Sequence, residues 1–358
     1  MKEKNYTIEF WRFLGCIGII LLHFEGAVVG NDTPLRWFRS DYLWVDFYFM
    51  LSGFFLYLSF RRGTTGDPLT AAARYTWHRI KRFAPAYYSS FAFLFLYQNY
   101  RLLAGGQIKQ VFSNLYKSFW ELLFLHSTGL TWDFVNFVTW YVSALVLVGF
   151  FAYALLVWNE KVFLGIIAPF FVLLIYPYYS GGIDVHLHYA RISWGAANRA
   201  VAGICLGCLV AYFYLAVREK NITKRQVRLF SALELAIVLV AAWELIGKPL
   251  DGRNMRMMVL FPALIFFSAW QKTWLSRLLN RPLCGFLGKL SVGMYFYQTL
   301  VRDLWLRAHP VAAQAPIPLK EYAVYLVYVM AAGLLLYGAG TVCRRLAGRC
   351  RPRSGEKA

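Results

Sequence analysis

Two ionisable side chains, Arg12 and His23, stand eleven residues apart in an otherwise apolar run, FWRFLGCIGIILLHFEGAVV at 10–29. A guanidinium keeps its charge and suits an anion. An imidazole of near-neutral pKa takes a proton from a hydroxyl when a neighbour orients it. At about 100° and 1.5 Å per residue, eleven residues make almost three helical turns, so both side chains share one face, roughly 16 Å apart along the axis. Lipid disfavours both groups, which makes each a functional candidate. The plain alternative for His23 is a neutral imidazole bonded to a neighbouring helix. Two carboxylates tilt the reading toward a base that a carboxylate orients: Glu25, two residues on, and Asp46, in the next apolar run WVDFYFMLSGFF.

The elements that must carry this face are membrane helices. Of 358 residues, 59% are hydrophobic and 19% aromatic, and the mean hydropathy is +0.46, far from a soluble composition. Apolar runs predict ten spans, at about 10–29, 43–60, 83–103, 138–158, 162–179, 198–217, 230–247, 256–271, 288–305 and 321–343. The expected fold is an all-α integral membrane protein, one polytopic domain over 1–344 with a basic tail at 345–358. The first run is long enough to span and many others follow it, which argues against a secretory signal peptide. An even number of spans puts both termini in one compartment. Most of the 38 Lys and Arg fall on that side, so it is expected to be the cytoplasm. Topology thus explains the formal charge of +20, and no soluble domain carries a basic face for nucleic acid.

Two connectors exceed what a turn needs. The first, about 61–82, ends in a basic stretch that reads as a short helix on the cytoplasmic surface. It holds Arg74, His78, Arg79, Lys81 and Arg82. Arg79 and Arg82 are i and i+3, so their guanidinium groups can converge on one phosphate; the alternative is a topogenic cluster touching anionic lipid. The second, about 104–137, reads as an interfacial helix over Gln107 to Leu125 and a loop above an outward cleft. The six cysteines give no disulfide framework. Cys205-x-x-Cys208 lacks a second pair or a flanking His and reads as helix packing, not a metal site. Asp184, His186 and His188 read as an ordinary outer loop. No metal is expected.

Taken together, these residues resemble the membrane-bound acyltransferase 3 family along nearly the whole chain. The resemblance rests on Arg12-x10-His23; on Trp44 to Phe54 (WVDFYFMLSGF); and on Arg79, Arg82, Pro85 and Tyr87 in an R-x-x-R-x-x-P-x-Y pattern. It rests further on Thr139 to Ser143 (TWYVS), on Arg199 to Gly207, and on Leu287 to Ser291 leading into Tyr295-Phe296-Tyr297-Gln298. The resemblance implies an enzyme of the inner, cytoplasmic membrane. It would move an acyl group, usually acetyl from acetyl-CoA, onto a hydroxyl of an extracytoplasmic glycan or lipid-linked saccharide. It implies that Arg12, Arg79 and Arg82, with Arg74 and Lys81, hold the CoA, and that His23, with Asp46 and Glu25, acts on the hydroxyl. Trp140, Tyr141, Arg199 and Gln298 are then expected to meet the acceptor. Direct transfer with His23 as general base is preferred over a covalent intermediate, because no Ser or Cys stands beside His23 as an evident nucleophile.

Two positions depart from the family pattern. Gln298 stands where many relatives have His, and Ala144 and Leu145 occupy a stretch that often carries Glu. Two rivals come from other classes. A transporter or flippase for a polysaccharide precursor would give weight to Glu234, Glu244 and Asp303. An assembly partner of an export system would need no chemistry at all. Binding or hydrolysis of acetyl-CoA separates the enzyme from both.

Overall fold

The computed structural model describes residues 5–30, 37–128, 134–178, 195–246, 255–309 and 316–349, with the backbone of 188–189 and 192–193. The helices are α1 (Thr7–Val29), α2 (Trp44–Phe60), α3 (Pro68–Ala104), α4 (Ile108–Lys117), α5 (Phe119–Leu122), α6 (Trp140–Trp158) and α7 (Glu160–Val162). They continue with α8 (Ala168–Tyr178), α9 (Gly195–Val217), α10 (Lys224–Leu245), α11 (Met257–Trp270), α12 (Trp274–Leu279), α13 (Pro282–Ala308) and α14 (Leu319–Arg349). A π-helical stretch, Phe163–Ile167, joins α7 to α8. The two-residue strands His188–Tyr189 and Ile192–Ser193 pair antiparallel.

Helical, membrane-spanning architecture is as expected, but the count differs. Seven of the ten expected spans fall on helices both long and apolar enough to cross a membrane: α1, α2, α6, α7 with α8, α9, α10 and α14. The other three have physical reasons to differ. The 14 residues of α11 reach only about 21 Å at 1.5 Å per residue. Lys289, Arg302 and Asp303 interrupt α13, and Gln98, Asn99 and Arg101 interrupt the end of α3. The tail boundary expected at 345 falls inside α14, which runs to Arg349.

The basic surface helix and the third span prove to be one continuous element. Asp67 caps α3 by accepting from the backbone N–H groups of Leu69 and Thr70, and Pro68 at the first position is preset for a helix. Nothing stops the helix at Phe83, so its 37 residues extend over about 55 Å. Arg79 is thereby joined to the spanning part by helical backbone, with Pro85 inside the helix between them.

Close approach of α2 and α9 fixes the interior. Arg199, Gly203 and Gly207 fall at i, i+4 and i+8, on one stripe of α9. An ideal Cβ on Gly207 would lie 1.8 Å from the Met50 carbonyl oxygen, and one on Gly203 would lie 2.5 Å from Phe49 Cβ. Only glycine permits this contact, the small-residue packing expected between membrane helices. Cys205 and Cys208 are buried on the same helix, and Cys208 Sγ donates to Gly53 O at 3.3 Å. Packing is what this pair does.

The second long connector folds as exposed α4, then α5, then two 3₁₀ turns at His126–Thr128 and Phe137–Thr139. Asp184 and His186 lie outside the described residues.

Candidate functional site

A cavity of about 420 Å³ lies between α1, α2, α3, α6 and α13. Each helix contributes one stripe, as 3.6-residue periodicity requires. From α1 come Glu9, Arg12 and Ile19; from α2 Val45, Tyr48, Leu51, Ser52 and Phe55; from α3 Tyr75, Arg79, Arg82 and Phe83. Tyr141 and Val142 of α6 and Ser291, Val292, Tyr295 and Phe296 of α13 complete the wall. The polar residues cluster toward the three arginines, and the remainder is largely apolar and aromatic. Such a site takes a ligand with an anionic end and a slender, less polar arm.

The arginines are differently held. Arg12 Nη1 donates to both carboxylate oxygens of Glu9, at 2.9 and 3.0 Å, and the Arg12 carbonyl oxygen accepts from the Tyr48 hydroxyl. Arg79 Nη1 donates to the Tyr75 hydroxyl at 2.7 Å and Nη2 to Ser52 Oγ at 3.3 Å. Its guanidinium also lies over the Tyr75 and Phe83 rings, at 5.7 and 6.0 Å. Arg82 is exposed at the rim and near enough to Arg12 and Arg79 for the charges to repel. Glu9 offsets one of the three charges, and the remaining positive charge favours an added anion.

His23 sits one helical turn beyond Ile19, the last α1 residue of the cavity wall. Its Nδ1 lies 2.9 Å from Gln298 Oε1. The other end of that amide, Nε2, donates to the Tyr295 carbonyl at 2.9 Å, so the amide oxygen faces the imidazole. An amide oxygen only accepts. Nδ1 therefore carries a proton, and in the neutral ring the lone pair is on Nε2, the form that takes a proton from a hydroxyl. Phe137 packs edge-on against the ring at 5.0 Å.

Several expected roles need correction. Residues two apart on a helix point about 200° apart, and Glu25 turns to other partners. It accepts from the backbone N–H groups of Trp37 and Phe38, each at 2.9 Å, and from the Tyr322 hydroxyl at 2.7 Å. Asp46 accepts from Arg199 Nε at 2.8 Å and Nη2 at 2.6 Å. That Arg199 nitrogen also donates to the Tyr42 carbonyl at 2.6 Å. With the pair 0% and 2% exposed, Asp46 does not orient the base and Arg199 does not meet an acceptor. Each charge offsets the burial cost of the other. At Nδ1 of His23 the partner is the Gln298 amide, where a carboxylate was expected.

Of the remaining expected contacts, Tyr141 lines the cavity, its hydroxyl 3.3 Å from Ser52 Oγ. Trp140 packs beside Phe49 and lies 5.9 Å from the Arg199 guanidinium. Arg74 and Lys81 point away from the cavity: Arg74 donates to Thr65 Oγ1 at 3.2 Å, and Lys81 lies over Trp77 at 5.1 Å. Sequence reading missed Glu9, Tyr48, Ser52, Tyr75 and Tyr295. Glu9 was signalled by its place three residues before Arg12. Tyr48 and Ser52 were signalled by an i, i+4 spacing inside the second-helix motif.

Glu234, Glu244 and Asp303 serve other contacts, with Ser276, Arg256 and Arg302 respectively. None of the three lines the cavity.

Fold and site define a multi-pass helical membrane protein with a cationic cavity adjoining an oriented histidine. A family model described as an acyltransferase domain matches residues 5–338, nearly the whole chain. The chain belongs to this family, acyltransferase 3, and is an acyl-transferring enzyme. Comparison with curated proteins and with solved structures returned no match.

Proposed function

We propose that the enzyme transfers acetyl from cytoplasmic acetyl-CoA to a hydroxyl of an extracytoplasmic glycan or lipid-linked saccharide, with His23 as general base. The observation that carries this reading is the Gln298 amide on His23 Nδ1, which fixes the tautomer whose basic nitrogen, in the neutral ring, is Nε2. The guanidinium groups of Arg12, Arg79 and Arg82 suit the phosphates of CoA. The apolar and tyrosyl wall suits its pantetheine arm, which runs along the face that Arg12 and His23 share.

Chemistry then needs one bond made and one broken. The acceptor hydroxyl oxygen attacks the thioester carbonyl carbon while His23 Nε2 takes the hydroxyl proton. The carbon–sulfur bond breaks, and the proton passes from the imidazolium to the departing CoA thiolate. Products are an O-acetyl ester and free CoA. Gln298 offers no negative charge to the imidazolium, so its part is to fix the tautomer and the ring angle.

His23→Ala is expected to abolish ester formation while the protein stays inserted and still binds acetyl-CoA. Mass spectra of the cell-surface glycan measure the first effect, and titration of purified protein the second. A wild-type acetyl content in the variant strain would overturn the base assignment. Wild-type protein that neither binds nor consumes acetyl-CoA would instead point to transport.

A further inference from the structure

The donor cavity stops short of the base on both helices that carry the base and its partner, by about one turn on α1 and by two residues on α13. On α1 the wall ends at Ile19, four residues before His23, and on α13 at Tyr295 and Phe296, just before Gln298. One helical turn is about 5.4 Å, so a thioester carbon at the end of the cavity needs that further distance to meet an acceptor held by His23. Tyr295 occupies the step, because three of its parts touch three different components. Its side chain lines the cavity. Its carbonyl oxygen accepts from the Gln298 amide that holds His23. Its hydroxyl donates to the Val138 carbonyl, in the same 3₁₀ turn that sets Phe137 against the His23 ring. Tyr141 and Phe296 brace the ring edge-on, at 6.3 and 5.3 Å.

We propose that Tyr295 is the partition between the donor cavity and the base, and that its ring sets which acyl groups are transferred. The inference rests on the acyl-transfer reading. A ring bolted across the end of the cavity leaves room for a short acyl group and blocks a longer one. It also separates the thioester from water on the acceptor side. Tyr295 is on this account a specificity-determining residue, and the base remains His23. A pocket that rejects one added methylene lowers kcat/KM by roughly 10–200-fold.

The experiment uses the full-length protein in lipid nanodiscs with acetyl-, butyryl- and hexanoyl-CoA. Release of CoA is followed with and without the glycan fraction of the host envelope as acceptor, and CoA binding is titrated separately. Wild type is expected to lose activity steeply along the series. Tyr295→Ala is expected to flatten that loss by at least about tenfold and to hydrolyse acetyl-CoA without acceptor. Tyr295→Phe keeps the ring and therefore the wild-type chain-length profile, while Tyr295→Leu serves if the alanine variant does not fold. An alanine or leucine variant that binds CoA with the wild-type profile and wild-type hydrolysis overturns the partition alone. A wild-type protein that consumes no acyl-CoA overturns the acyl-transfer reading, and the partition with it.

Discussion

At the scale of single residues, burial cost exposes candidates, and only the partner tells what each does. Arg12, His23, Asp46 and Arg199 all stand out in the sequence for the same reason, a polar group in an apolar run. Arg12 and His23 were legible as one functional face because both lie on α1, where spacing dictates direction. Asp46 and Arg199 were not legible as a pair, because the two positions are 153 apart in the chain and meet only through the glycine stripe of α9. Arg79 is already oriented by Tyr75 and Ser52, and Arg82 has no ion-pair or hydrogen-bond partner among the described residues. Phosphate contacts by these two side chains are charge-assisted, at about 1.5–3 kcal/mol each. Arg79→Ala with Arg82→Ala is thus expected to weaken CoA binding by at least roughly tenfold, seen by calorimetric titration. Wild-type affinity in the double variant would remove these residues from the donor site.

At the scale of elements, the second-helix motif carries two jobs on two faces. Asp46, Met50 and Gly53 turn to α9, while Val45, Tyr48, Ser52 and Phe55 turn to the cavity. A motif read as a string cannot show this division; a helical projection can. The described residues of 119–136, with Thr139 at the start of the following span, show another element-level device. Glu121 accepts from the N–H groups of Val135 and Asn136, at 2.7 and 3.0 Å. Thr139 Oγ1 bridges Glu121 Oε1 at 3.2 Å and His126 Nε2 at 3.1 Å. Burial pushes the Glu121 carboxyl up from 4.5 to about 7, against the pull of those N–H groups. Burial likewise pushes His126 down from 6.5 to about 4. The carboxyl binds its proton more tightly when folded, so its contribution to stability is full below pH 4.5 and is lost as pH rises to about 7. The imidazole binds its proton less tightly when folded, so its contribution is full above pH 6.5 and is lost as pH falls to about 4. The two slopes oppose one another across the shared window. Glu121→Gln should leave a thermal midpoint that rises with pH between about 4 and 6.5, and His126→Gln one that falls between about 4.5 and 7. Parallel pH profiles for both variants and wild type, measured by scanning fluorimetry, would contradict the assignment.

At the scale of the whole molecule, composition and hydropathy made the fold class legible, because apolar runs are a direct consequence of lipid as solvent. The extent of α3 was not legible: its first half is polar enough to read as a separate surface helix, and it joins the span through helical backbone that continues past Pro85. That continuity has a functional consequence, since it carries Arg79 alongside α1 and α2, where it meets Ser52. Arg12 opens the face shared with His23 near the N-terminus of α1, and the base follows about 16 Å further along the axis. Donor and acceptor should therefore reach the enzyme from opposite membrane faces. Sealed vesicles test this. In inside-out vesicles, which expose the expected cytoplasmic face with both termini, added acetyl-CoA is expected to lose its acetyl group to glycan enclosed in the lumen. In right-side-out vesicles the same addition is expected to do nothing until the membrane is permeabilised, because CoA does not cross lipid. The sidedness follows from the placement of the arginines at the N-terminal end of the α1 face. Activity confined to sealed right-side-out vesicles would mean that the cavity opens toward His23 and would reverse the direction of transfer proposed here; equal rates in both sealed preparations would mean that the donor has no fixed side, and the sidedness would be abandoned.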